Sequence, residues 1–179
     1  MRSAAVISEC ERYRYQLRRT WDDEGLLLEW IMLNPSTADA HVDDPTIRRC
    51  VGFAQRWGYG AIVVHNLYAL RATNPAQLLS AKDAYGPRND EFLGHNPALC
   101  TIAAWGAHAA TLAPNARATI AVLAMCRPRL YCLGTTAAGG PRHPLYVKSS
   151  QTPTLWSAHG SQVDPKPSPR QLRATVPAV

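Results

Sequence analysis

Four short apolar runs, each stopping at a polar residue or a glycine, constrain the fold of this chain more than any other feature. Leu27-Leu28-Glu29-Trp30-Ile31-Met32-Leu33 runs into Asn34-Pro35-Ser36-Thr37, and Ala61-Ile62-Val63-Val64-His65-Asn66-Leu67 stops near Asn66. Cys100-Thr101-Ile102-Ala103-Ala104 closes in Trp105-Gly106, and Arg129-Leu130-Tyr131-Cys132-Leu133 closes in Gly134. Nearly continuous apolar runs of this length, bounded by turn residues, mark strands buried on both faces. The segments between them have helical character. Residues 45–59 place Ile47, Cys50, Val51, Ala54 and Trp57 at three- and four-residue steps. Asp43 or Asp44 can cap that helix, Pro45 suits its first turn, and Gly58 and Gly60 end it. Shorter helices are expected over 75–82 and 89–93, and an alanine-rich one over 117–126.

Strands alternating with helices predict an α/β fold, a single-domain three-layer sandwich around a central four-stranded, mostly parallel sheet with right-handed connections. Residues 12–21 alternate large and charged side chains ahead of the turn Asp22-Asp23-Glu24-Gly25. They read as the half-exposed edge strand of an N-terminal antiparallel hairpin with residues 26–33, its arginines facing solvent. The folded domain is expected over 1–150. Residues 151–179 are basic and proline-rich, the composition of a partly disordered tail.

At 179 residues, 46% hydrophobic and 18% charged, the chain is long enough for one buried core. No apolar run reaches the roughly 18–20 residues of a membrane span, and the start Met1-Arg2-Ser3-Ala4-Ala5-Val6 lacks a hydrophobic stretch long enough for a signal peptide, so a cytoplasmic protein is expected. Cys10, Cys50, Cys100, Cys126 and Cys132 are scattered without a C-x-x-C pair, as suits free thiols in a reducing compartment. A formal charge of +6 favours an anionic partner, nucleic acid included.

Open parallel sheets bind ligands beyond the carboxyl ends of their strands. Asn34, Asn66, Trp105-Gly106 and the stretch Pro141-Arg142-His143-Pro144-Leu145-Tyr146 are therefore expected along one edge, as one pocket. Asn34-Pro35-Ser36-Thr37 reads either as a turn or as a loop whose amide and backbone N–H groups hold water or ligand. Asn66 ends an apolar strand, so its amide needs either loop backbone or the hydrogen-bonding edge of a planar heterocycle. His143 is either structural or stabilises a developing anion. Arg142 favours anionic groups. Tyr68, Tyr146 and Trp105 are core aromatics or stacking faces. Asp39, Asp43 and Asp44 are general-base candidates, with a helix cap among them. No His/Asp/Glu spacing suits a metal and no glycine-rich phosphate loop is present, so neither metal nor cofactor is expected.

The segments WIMLNPSTADA, DDPTIRRC, WGYG, NLYALRATNP, AAWGAH and GGPRHPLY resemble the DUF1643 family, a bacterial and phage branch, over roughly residues 12–146. Through the order of its motifs the chain also resembles the uracil-DNA glycosylase superfamily. That resemblance implies a hydrolase that cleaves the N-glycosidic bond of a damaged or modified base in DNA, as DNA-repair glycosylases do. Asn34-Pro35 matches the water-positioning motif, with Ser36 in place of glycine and Thr37 continuing the loop. Asn66 matches the base-reading asparagine. Trp105-Gly106 matches the close of the third strand. His143-Pro144 matches the motif that stabilises the departing base, with Leu145 in place of serine and Tyr146 continuing towards a DNA-wedging loop. Arg48, Arg49 and Arg142 would contact phosphates. No aspartate stands at the water-activating position of the most active members, which implies slower hydrolysis or a better leaving group. A non-catalytic nucleic-acid or modified-base binding module, and an enzyme of free modified nucleosides or nucleotides, are the alternatives.

Overall fold

A computed structural model describes residues 1–36, 38–39, 42–94, 98, 100–107, 120, 123, 127 and 130–156. Among the described residues seven strands occur in chain order: β1 Arg2–Ile7, β2 Arg14–Thr20, β3 Leu27–Met32, β4 Ala61–Asn66, β5 Cys100–Ala103, β6 Leu130–Cys132 and β7 Thr154–Leu155. They form one mixed sheet ordered β1-β2-β4-β3-β5-β6-β7. The four apolar runs are β3 to β6, and they pair in parallel as the block β4-β3-β5-β6. Antiparallel strands flank it, β2 and β1 on one side and β7 on the other.

Both faces of the block are covered, which is why its strands lack polar alternation. Leu28, Trp30, Met32, Ile62, Val64 and Ile102 pack with Ile47, Phe53 and Trp57 of the α1 region. On the other face Ile31, Leu33, Ala103 and Leu130 meet Leu78 of α2 (Gln77–Ser80) and Leu93 of α3 (Asn89–Gly94). Helix α1 spans Pro45–Arg56, and the Asp44 carboxylate accepts from the Ile47 N–H at 2.9 Å. Such a cap contributes about 1 kcal/mol. Of the expected core positions Val51 is only half-buried, while Phe53 joins the buried face.

From β3 the chain crosses through α1 to β4 on one side, then returns past β3 through α2 and α3 to β5 on its other side. Opposite directions with helices on opposite faces give both crossovers the same hand. The direction of winding therefore reverses at β3, and the crevice beyond its carboxyl end is the topological switch point at which such sheets bind ligands.

Three expectations are corrected. Residues 12–21 do not form a hairpin with 26–33, because β4 lies between β2 and β3 and pairs with both. The connecting loop passes over the start of β4: Trp21 and Asp22 donate to the Gly60 carbonyl, and Gly60 donates to Leu26. This requires two glycines face to face, since a Cβ on Gly25 would lie 2.5 Å from the Gly60 Cα. Nor do the arginines of β2 all face solvent: Arg14 and Arg19 are buried, and β1 is the edge. Finally, Thr154–Leu155 pairs with β6, and Trp156 packs edge-on against Trp105, so the sheet extends past residue 150. The expected helix over 117–126 lies outside the described residues, apart from Ile120 and Leu123, which pack into the core. Thr37, Cys126 and the tail from residue 157 lie outside them too. Cys10, Cys50, Cys100 and Cys132 are free thiols. Among the described residues no helix is long and apolar enough to cross a membrane.

Candidate functional site

A cavity of about 680 Å³ opens at the carboxyl edge of the parallel block. Loops after all four parallel strands line it: Asn34 and Ser36 after β3, Asn66, Ala72 and Thr73 at and after β4, Trp105 and Gly106 after β5, and Thr136, Arg142, His143 and Tyr146 after β6. Asp44, Thr46 and Ile47 join from the start of α1. A cavity of this size accommodates a small planar ligand.

Each loop is held by its neighbours. Asn34 Nδ2 donates to the Pro35 carbonyl at 3.0 Å and to the Ala72 carbonyl at 2.7 Å, tying the β3 loop to the β4 loop. Both amide protons are thereby engaged, which leaves Oδ1, an acceptor, for a water or a ligand N–H. Asn66 is 1% exposed and its Nδ2 has no hydrogen-bond partner. Its strand end is fixed instead through the backbone, where the buried Asn89 amide donates to the Asn66 and Leu67 carbonyls at 3.1 and 3.2 Å. A buried amide left unpaired at a cavity wall is costly unless a ligand completes it.

Gly106 adopts φ +76°, a conformation that suits glycine. It lets the β5 loop turn so that its N–H reaches the Pro141 carbonyl at 2.9 Å, beside His143. The His143 Nδ1 accepts from the Leu145 N–H at 3.4 Å as the chain enters a 3-10 turn over Pro144–Tyr146. Burial lowers the His143 pKa below its ordinary 6.5, against an opposing pull from Asp44. The ring is neutral at pH 7, and the bond at Nδ1 assigns its proton to Nε2.

The remaining expected residues divide. Pro35 is buried beneath the loop, and its carbonyl receives the Asn34 and Ala72 hydrogen bonds. Tyr68 lies in the core and does not line the cavity. Trp105 belongs to both core and cavity wall. Leu145 and Tyr146 are exposed beside His143, at 42% and 80%. Asp44 caps α1, Asp43 pairs with Arg19 at 2.7 Å, and Asp39 accepts from the Val42 N–H away from the cavity. Arg48 is exposed and donates to the Asp43 carbonyl. Arg49, expected at phosphate, instead holds the segment after His143: it donates to the Pro144 and Val147 carbonyls and to the Ser149 hydroxyl. Arg142 is exposed at the cavity and donates to the Thr135 carbonyl at 2.9 Å.

Sequence reading missed Arg14, a buried cavity residue. β1 pairs Val6 with Gln16 but Ile7 with Arg14, so Tyr15 is an extra residue in β2. That bulge reverses the alternation and turns Arg14 onto the face of Leu17 and Arg19, towards α1. It missed a second buried cluster too. Glu29 accepts from His65 Nδ1 at 2.8 Å, from Thr101 Oγ1 at 2.6 Å and from Arg127 Nε and Nη2, both at 2.9 Å. Burial alone would raise the Glu29 pKa, but the His65 and Arg127 hydrogen bonds outweigh it and bring it down to about 2. This cluster does not line the cavity and is a structural device of the sheet. Among the described residues no group of three His, Cys, Asp or Glu is placed to hold a metal ion.

Fold and site together define an α/β protein with a cavity at the switch point of its sheet, its walls carrying a few polar groups among apolar ones. The model of the family described as protein of unknown function (DUF1643) matches residues 14–145, and the chain belongs to that family. No curated protein and no solved structure matches it.

Proposed function

We propose that the cavity receives a nucleobase and that the protein hydrolyses the N-glycosidic bond of a damaged or modified base, flipped out of DNA. The observation that carries this reading is Asn66, whose amide is buried at the cavity wall with its Nδ2 unpaired. A planar heterocycle presenting a carbonyl edge would complete it. Glycosidic cleavage develops positive charge on the sugar and negative charge on the base. The neutral His143, with its proton on Nε2, would donate to the base as that charge grows. Asn34 Oδ1 would hold the attacking water. Leu145 and Tyr146, exposed and apolar beside His143, suit insertion into a base stack at a flipping cost of about a few kcal/mol.

A second reading, hydrolysis of free modified nucleosides or nucleotides, draws support from Arg49. Its guanidinium is engaged internally and gives little to a DNA backbone. The test is incubation with oligonucleotides carrying uracil, hypoxanthine, alkylated bases or modified pyrimidines, followed by alkaline cleavage at abasic sites, with the matching nucleosides in parallel. Cleavage lost in Asn34→Ala and His143→Ala supports hydrolysis. Products from nucleosides alone favour the second reading. Tight binding with no product assigns the protein to a non-catalytic binder.

A further inference from the structure

Among the described residues three arginines are almost completely buried, and two of them have carboxylate partners. Arg19 pairs with Asp43 at 2.7 Å, and Arg127 with Glu29 at 2.9 Å. Arg14 is 2% exposed and forms no ion pair among the described residues. Its Nη1 donates to the Ala38 carbonyl at 2.6 Å, and its Nε has no partner. It is also the one of the three that lines the cavity. Buried guanidinium groups are rarely left without a counter-ion, because desolvation of an unpaired charge costs several kcal/mol. Burial pushes the Arg14 guanidinium down to about 10, with the charges of Asp44 and Asp39, neither of them bonded to it, opposing that and Arg71 and Arg19 adding to it. It stays protonated throughout the neutral range.

The position of Arg14 is built rather than incidental. Without the extra residue at Tyr15, strict alternation from Leu17 would put Arg14 on the opposite face of the sheet, away from α1 and the cavity. Arg142, by contrast, is exposed. A ligand group that meets Arg14 must therefore belong to the part that enters the cavity, not to the part that stays outside.

We propose that Arg14 is a specificity-determining residue that binds an anionic oxygen group, carboxylate or phosphate, carried into the cavity by a planar ligand whose edge Asn66 reads. This deepens the nucleobase reading and rests on it for the planar part alone; the anion site follows from Arg14 by itself. A carboxylate would be an acidic substituent on the base, whereas a phosphate would make the ligand a free nucleotide. The guanidinium suits either, since both offer paired oxygens to its fork of donors.

The test is calorimetric titration of the full chain with 5-carboxyuracil, uracil, uridine and uridine 5′-monophosphate, beside a thermal-shift series with inorganic phosphate, benzoate and neutral benzamide. Wild type is expected to prefer 5-carboxyuracil over uracil, or the monophosphate over uridine, by roughly 10- to 100-fold, the range of a charge-assisted hydrogen-bonded pair. Which pair shows the preference separates base-borne carboxylate from phosphate. Arg14→Met should reduce that preference to under threefold, and Arg14→Lys should keep part of it. Base binding with no anion preference overturns the inference and leaves the nucleobase reading standing. No base binding, with phosphate or benzoate stabilising wild type but not Arg14→Met, leaves the anion site standing and removes the nucleobase reading. A melting temperature that falls in Arg14→Met as far as in Arg19→Met, with anion response unchanged, would make Arg14 a loop clamp and overturn the inference.

Discussion

Replacing Asn66 with leucine should make the free protein more stable while abolishing ligand binding. The Asn66 amide is 1% exposed and its Nδ2 is unpaired, and a buried unsatisfied donor costs about 1–3 kcal/mol. Leucine has a similar shape and no polar atom to satisfy. Allowing for imperfect packing, a net gain of about 1–2 kcal/mol is expected, or roughly 2–8 °C in melting temperature for a chain of this size. Asn89→Leu is the matched control. Its Nδ2 serves the Asn66 and Leu67 carbonyls, so its removal takes a buried donor from both; the loss of two bonds outweighs relief of its own unpaired Oδ1 and should lower the melting temperature. Scanning calorimetry on both variants, with titration of whichever base the wild type binds, reads the two effects separately. A fall in Asn66→Leu as large as in Asn89→Leu would show that the amide is a structural bridge and refute its assignment to ligand.

Other predictions follow from the same contacts. Glu29→Gln leaves Arg127 without its buried partner and should cost about 3–5 kcal/mol, seen as an earlier urea midpoint. In wild type the Glu29 carboxyl drops from 4.5 to about 2, so its contribution of roughly 3 kcal/mol is fully present above about pH 5 and lost as pH falls towards 2. Acid titration of stability should show that loss in wild type and not in Glu29→Gln. Because burial lowers the His143 pKa, the neutral ring persists below pH 6.5, so cleavage should decline only at more acidic pH. A decline centred above pH 6.5, or one that survives in His143→Gln, would contradict the assigned role. Arg142→Ala should weaken DNA binding and reduce its salt slope by about 1, whereas Arg49→Ala should lower the rate through the His143 loop and leave the slope unchanged.

Much of this architecture was legible in the chain because burial on both faces leaves a pattern that local sequence carries. The apolar runs of β3 to β6, the capped helix α1 and the carboxyl-edge position of Asn34, Asn66 and His143 follow from such patterns. Pairing between distant strands does not. Asp22-Asp23-Glu24-Gly25 has the composition of a tight hairpin turn, yet the chain there passes over β4, with Gly25 against Gly60, a contact visible only in space. The Tyr15 bulge inverts the alternation that made Arg14 look solvated. A two-residue strand such as Thr154–Leu155 has no period to detect. Glu29 was the missed signal: a lone acid within an apolar run must be paired, but its partners lie 36 to 98 residues away.

Two amides and one imidazole line one cavity, and their proposed convergence on a single base can be measured through their own resonances. In a protein labelled with nitrogen-15, titration with a bound base should shift the Asn66 and Asn34 side-chain amide signals and the His143 ring nitrogens together, with one common midpoint. An Asn66 amide signal that stays fixed while the base saturates the protein would contradict the account.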